Sequence, residues 1–77
     1  MFYVYVLLSG DNRSYIGCCF DLKERFKLHQ KGKVDATKSR LPVKLATYFA
    51  FSDKYTAFNF EKYLKSGSGR GFIKNII

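Results

Sequence analysis

The chain has 77 residues, room for one small domain. It is 47% hydrophobic and 18% aromatic, which excludes a disordered chain, because disordered segments are poor in aromatic residues. Fourteen Lys and Arg against six Asp and Glu give a formal charge of +8, a balance that points to a polyanionic partner, nucleic acid or an anionic surface.

In chain order, Phe2 to Leu8 is a run of aromatic and β-branched residues followed by the turn cluster Ser9-Gly10-Asp11-Asn12, the pattern of a strand and its turn. Being apolar at every position, this strand is expected inside a sheet that is covered on both faces. It is far too short for the roughly 20 apolar residues of a membrane helix, and no charged segment precedes it as in a signal peptide. Ser14 to Phe20 is a second strand, paired with the first as an antiparallel hairpin. The adjacent Cys18 and Cys19 suit neither a disulfide framework nor a zinc clamp, and are read as small core residues of a cytoplasmic protein with no membrane partner.

Asp21 offers an N-cap with Glu24 three residues on, and Gly32 stands where a left-handed C-terminal residue is wanted, so Leu22 to Lys31 is expected to be helical. Leu22 and Phe26 mark its buried stripe, Arg25 and His29 lie one turn apart at its edge, and Lys23, Lys27 and Lys31 form an outer basic ridge. Gly32 to Leu41 is a polar loop carrying Lys38 and Arg40, ended by Pro42. Val43, Leu45, Thr47, Phe49 and Phe51 alternate with Lys44, Ala46, Tyr48 and Ala50 in a third strand. Ser52 or Asp53 caps a second helix to about Lys65; Ser66-Gly67-Ser68-Gly69-Arg70-Gly71 stops it, and Phe72 to Ile77 is a short final helix. The expected order is β-β-α-β-α-α in a single domain over 1–77, with no repeat and no linker.

Three groups of residues invite a chemical as well as a structural reading. Glu61 falls within the apolar arc of its helix, so it is either a carboxylate at a cleft rim, able to hold a cation, or half of an ordinary i,i+4 ion pair with Lys65. Arg25 beside His29 is either a planar two-pronged phosphate ligand or an arginine laying its stem over Phe26 beside a satisfied histidine. Tyr3, Tyr5 and Tyr15 on paired strands bring hydroxyls together or simply pack. The glycine-rich stretch before Arg70 lacks the spacing and the Lys-Ser/Thr ending of a nucleotide-binding loop.

Taken in order, Tyr3-Val4-Tyr5, Tyr15-Ile16-Gly17, Arg25 with His29, Arg40-Leu41-Pro42-Val43-Lys44, Glu61 and Tyr63-Leu64-Lys65-Ser66-Gly67-Ser68-Gly69-Arg70 resemble the GIY-YIG endonuclease family. The likeness covers about residues 2 to 72. It is greatest to small stand-alone bacterial members related to the N-terminal nuclease domain of the bacterial excinuclease. Tyr3 stands where the family's first tripeptide has glycine, and Asn75, the only counterpart of a terminal asparagine used by some members, is left unassigned.

The resemblance implies an α/β (α+β) fold with a central three-stranded antiparallel sheet flanked by helices. It implies metal-dependent hydrolysis of DNA phosphodiester bonds, structure-selective or weakly sequence-specific, in repair or recombination. Tyr15 would be the general base and Tyr5 its hydrogen-bonding partner at the attacking water. Arg25 would clamp the scissile phosphate, with His29 at a position where several branches also use histidine, and Glu61 would be the sole protein ligand of one divalent ion, Mg²⁺ or Mn²⁺. An ordinary tyrosine is only about 0.1% ionised at pH 7, so the base role calls for a cationic neighbour, with Lys23, Arg25 and the metal as candidates, and for a rate that rises toward alkaline pH. Lys23, Lys27, Lys31, Lys38, Arg40, Lys65 and Arg70 would contact the nucleic-acid backbone with a steep salt dependence. DNA is the expected partner, with branched and damaged DNA among the candidate forms; RNA is compatible with the same chemistry, and a protein partner is a candidate source of specificity. The alternatives are a non-catalytic nucleic-acid-binding module using the same basic surface, and a small basic accessory protein docking through exposed aromatics.

Overall fold

A computed structural model describes residues 1–77. Its first strand, β1 (Phe2–Ser9), lies between β2 (Ser14–Cys19) and β3 (Val43–Phe51), giving an antiparallel sheet of order β2-β1-β3. The uniformly apolar first strand is thus the central one. Val4 and Val6 point to one face and Tyr5 and Leu7 to the other, and all four are essentially sealed from solvent. Each such side chain contributes roughly 1.5–3 kcal/mol of burial, so the strand anchors two cores at once. The hairpin turn places Asn12 at φ 65°, a left-handed conformation that asparagine tolerates better than most residues. Asp11 accepts hydrogen bonds from the Ser9 hydroxyl and from the Arg13 amide and holds the turn closed.

The third strand forms as expected but does not keep one apolar face. Its register against β1 slips between Val6 and Leu7: Thr47 pairs with Val6 while Leu45 pairs with Leu7, leaving Ala46 as an extra residue. A single inserted residue reverses the side-chain alternation beyond it. Phe49 and Phe51 therefore pack with Val4 and Val6, whereas Val43 and Leu45 pack with Tyr5 and Leu7.

Helix α1 (Leu22–Gln30) is capped by the Asp21 carboxylate, which accepts from the Glu24 amide at 3.1 Å, and ends where Gly32 turns left-handed at φ 73°. It lays Leu22 and Phe26 over the Tyr5–Leu7 face. Helix α2 (Lys54–Lys65) covers the opposite face through Ala57, Phe60 and Leu64. Of the two candidate caps, Asp53 is the one used: its Oδ2 accepts from both the amide and the hydroxyl of Thr56, each at 2.8 Å.

The glycine-rich stretch is not the loop that its composition predicts. Helix α3 (Gly67–Ile76) starts directly after Ser66, whose hydroxyl accepts from the Gly69 amide. A Cβ at Gly69 would overlap the Tyr63 carbonyl and come within 2.5 Å of the Leu64 Cα, so glycine is what lets α3 fold back across the end of α2. Each glycine lowers helix propensity by about 1 kcal/mol. That is offset because the fold-back buries Ile73 in the core and sets Phe72 against Phe49 and Tyr63. No helix is long and apolar enough to cross a membrane.

Candidate active site

Strand register builds the site. Tyr5 pairs with Gly17 and Leu7 with Tyr15, so both tyrosines rise on the face that α1 covers, with ring centroids 6.3 Å apart. The Tyr5 ring lies directly across β2 at Gly17; any Cβ there would overlap its hydroxyl and sit 2.5 Å from its Cζ. The glycine of Tyr15-Ile16-Gly17 is thus the space into which Tyr5 fits.

From α1, Arg25 and His29 descend onto this pair. The Tyr5 hydroxyl and His29 Nε2 are 2.9 Å apart, and Arg25 Nε donates to the Tyr5 oxygen at 3.4 Å. His29 Nδ1 lies 2.8 Å from Thr37 Oγ1, and its ring packs against Tyr15 with centroids 5.2 Å apart. Thr37–His29–Tyr5–Arg25 is therefore one continuous hydrogen-bonded chain ending on a guanidinium.

Burial divides these groups by role. Tyr5 is 1% exposed and His29 and Thr37 are 0% exposed, whereas Arg25 and Tyr15 are half-buried and reachable from outside. Desolvation pushes the Tyr5 phenol up to about 12, more than its bond from Arg25 lowers it. Burial, and then the nearby Arg25 charge, hold His29 below its ordinary value. Both are therefore neutral at pH 7, and both lie buried behind the more accessible Arg25. Arg25 is held all the more firmly in its charged form, chiefly by its bond to Tyr5, and lies within Coulombic reach of Tyr15.

A buried neutral histidine makes folding pH-dependent. Below about pH 6.5 an unfolded chain gains a proton on His29 that the native chain still refuses. Protons therefore favour unfolding, and stability present above about pH 6.5 is lost as the pH falls, by at most about 1.4 kcal/mol per pH unit from this one group. Urea titrations between pH 7 and 5 should show this decline in the wild type and a shallower one in His29→Asn; identical slopes would mean that His29 is already charged in the native state.

Glu61 does not join this cluster. It projects from α2, which covers the other face, and its nearest titratable neighbour on β2 is Cys18. Its side chain is 22% exposed and its Oε2 accepts from Lys65 Nζ at 3.2 Å, so the i,i+4 ion pair is present. Oε1 carries no hydrogen bond and stays available. The two faces meet at β2, an edge strand, where a groove of about 730 Å³ is lined by Tyr15 on one side and Lys65 on the other. No group of three or more His, Cys, Asp or Glu side chains converges anywhere, so a metal would rest on the Glu61 carboxylate, with water and substrate oxygens completing its shell. That donor set fits a hard, hydrated ion, which needs only one or two carboxylates.

The remaining candidates scatter. Lys23, Lys27 and Lys31 are exposed along the outside of α1. Lys38 pairs with Asp35 at 3.3 Å, and Arg40 is half-buried, its Nη2 donating to Ser9 Oγ at 3.3 Å, so it ties the loop to the end of β1. Lys65 and Arg70 both line the β2 groove. Cys18 and Cys19 are unbridged and pack against opposite cores, Cys18 with Val4 and Val6 and Cys19 with Tyr5 and Leu7. Thr37 escapes a reading of the sequence because it sits in a polar loop with no periodicity; only its seat beneath His29 marks it. Arg13 and Lys74, which also line the groove, stand alone in the sequence and carry no pattern.

Residues 1–75 match the family described as the GIY-YIG catalytic domain. A UPF0213 protein of Lacticaseibacillus paracasei is 42% identical over 65 residues, 83% of this chain and 73% of its own length. One from Streptococcus pneumoniae is 41% identical over 64 residues, 82% of this chain and 65% of its own. The solution NMR structure of a UPF0213 protein from Bacillus halodurans superposes with a TM-score of 0.61 and 32% identity, covering 97% of this chain and 84% of that one. With nearly every residue matched and the sheet, helix order and sequence agreeing, this chain belongs to the GIY-YIG nuclease domain family, among its small UPF0213 members.

Proposed function

We propose that this protein is a metal-dependent endonuclease that hydrolyses DNA phosphodiester bonds, structure-selective or weakly sequence-specific, in repair or recombination, with residues 1–77 as its single nuclease domain. The observation that carries the reading is the buried Thr37–His29–Tyr5 chain, which fixes the charged Arg25 beside an accessible Tyr15.

Neutral groups nine-tenths or more buried behind a guanidinium leave its outward N–H donors free for an anion. Arginine's planar fork then gives a phosphate two parallel hydrogen bonds, and prior orientation makes those bonds strongest where charge develops in the transition state. Tyr15, facing the groove beside the charged Arg25, accepts the proton of the attacking water. Tyr5, sealed behind Arg25, serves as a positioning residue rather than a contact to that water. Glu61, with Oε2 taken by Lys65 and Oε1 without a hydrogen bond, would hold one divalent ion, Mg²⁺ or Mn²⁺. Such an ion, when bound, neutralises charge on the leaving oxygen. The vicinal cysteines, turned to opposite cores, accord with a reducing cytoplasmic setting.

The test is cleavage of labelled duplex, flap, branched and single-stranded DNA, and of RNA, in Mg²⁺, Mn²⁺ or EDTA. Cutting in either metal and none in EDTA is expected. Binding without cutting across the panel would instead establish the non-catalytic module.

A further inference from the structure

The groove at the β2 edge has a composition that the proposed chemistry does not need. Besides Tyr15 it is lined by Arg13 from the end of the hairpin turn, Lys65 from the end of α2, and Arg70 and Lys74 from α3, with no acidic side chain among its lining residues. All four cations are exposed, and only Lys65 has an ion-pair partner, since the protein's two salt bridges are Lys38–Asp35 and Lys65–Glu61. Ile16 and Ile73 form part of an apolar floor between them. The hairpin turn and the adjoining α2 and α3, distant from it in sequence, thus place like charges around one concavity, a focus of positive potential that favours an anion.

We infer that this groove seats the nucleic-acid strand leading away from Tyr15, with Arg13, Lys65, Arg70 and Lys74 contacting its successive phosphates. The inference rests on the nuclease reading for the identity of the anion, and goes beyond it by choosing one of two basic surfaces. Arg70 and Lys74 are four residues apart, about 6 Å along the helix axis, a spacing comparable to the step between phosphates on an extended strand. Gly69 and Ile73, each one residue before a cation, are buried, which fixes the rotation of their helix and keeps Arg70 and Lys74 at the groove. The lysines of α1 lack these features: they lie on an outward ridge beside the exposed Glu24, and the concavity that Lys23 borders is lined mainly by apolar residues and includes Asp21. α3 therefore directs the strand, and the α1 ridge contributes only diffuse attraction.

The experiment compares two double variants that remove the same charge, Arg13→Gln/Lys74→Gln in the groove and Lys27→Gln/Lys31→Gln on α1. Binding of fluorescein-labelled single-stranded and duplex oligonucleotides is followed by anisotropy in EDTA across a salt series, and thermal unfolding confirms that each variant is folded. Each lost phosphate contact lowers the slope of log K against log salt by about 0.7–0.9. The groove pair should therefore reduce the slope by about 1.5 and the affinity at least tenfold at low salt, the α1 pair by less than half as much in slope. Equal losses in the two pairs, or a groove pair that binds like wild type, would overturn the inference, as would a wild-type protein that binds neither oligonucleotide. Because no metal is present, a wild type that binds through the groove but never cuts when Mg²⁺ is added would sink the nuclease reading alone.

Discussion

Glu61→Gln is expected to slow metal-dependent cleavage by at least about 10³-fold, close to 4 kcal/mol of transition-state stabilisation, while leaving nucleic-acid affinity within about twofold. The substitution is nearly isosteric and keeps an oxygen that can accept from Lys65, so helix α2 and its packing should survive. The pair it weakens is largely solvent-exposed on the lysine side, and surface i,i+4 pairs contribute only about 0.3–0.5 kcal/mol. The melting temperature should barely move. What disappears is the carboxylate paired with Lys65, the one proposed to hold the divalent ion. Single-turnover rates in Mg²⁺ and in Mn²⁺, measured beside anisotropy in EDTA, separate the two effects. Cleavage at the wild-type rate would remove Glu61 from the chemistry and return it to an ordinary ion pair.

The second large effect belongs to Arg25. Alanine there should reduce the cleavage rate by about 10²–10³-fold with less than about a fivefold change in binding, because its contacts strengthen as charge builds on the phosphate. Lysine should recover little of the loss: it restores a positive charge but not the two-pronged geometry, and it cannot reproduce the bond from Nε to the Tyr5 hydroxyl. A further readout lies behind the arginine. Its charge is one of the two causes that hold His29 below its ordinary value, so in Arg25→Ala the His29 titration, followed by NMR, should move upward. Equal losses of rate and affinity would make Arg25 a plain phosphate contact, and an unmoved His29 would break the proposed link between them.

Much of the scaffold is local in origin and can be read from neighbouring residues. Asp21 and Gly32 mark the two ends of α1 because a helix needs an acceptor for its first amides and a left-handed residue at its stop. The run from Phe2 to Leu8 declares a central strand because only a strand covered on both faces can be apolar throughout. Even the site's helical half is legible, since Arg25 and His29 are one turn apart on any α-helix that includes them. Where the sequence misleads, long-range packing is the reason. Alternation along Val43 to Phe51 assigns Val43, Leu45, Phe49 and Phe51 to one face, yet the slip at Ala46 splits them between two cores that must both be filled. A segment with three glycines reads as a loop until the end of α2 is present for Gly69 to rest against.

Motif, period and composition are enough to establish the family, the order of the elements, the basic balance and the residue types at the candidate site. How those residues divide was settled by the folded chain alone. It buried Tyr5 and His29 with an unheralded Thr37 behind Arg25, and it left Tyr15 open to the groove. It set Glu61 on the far face, reaching the same edge by way of Lys65. Those outcomes follow from strand register and from which helix covers which face, and no stretch of neighbouring residues encodes either.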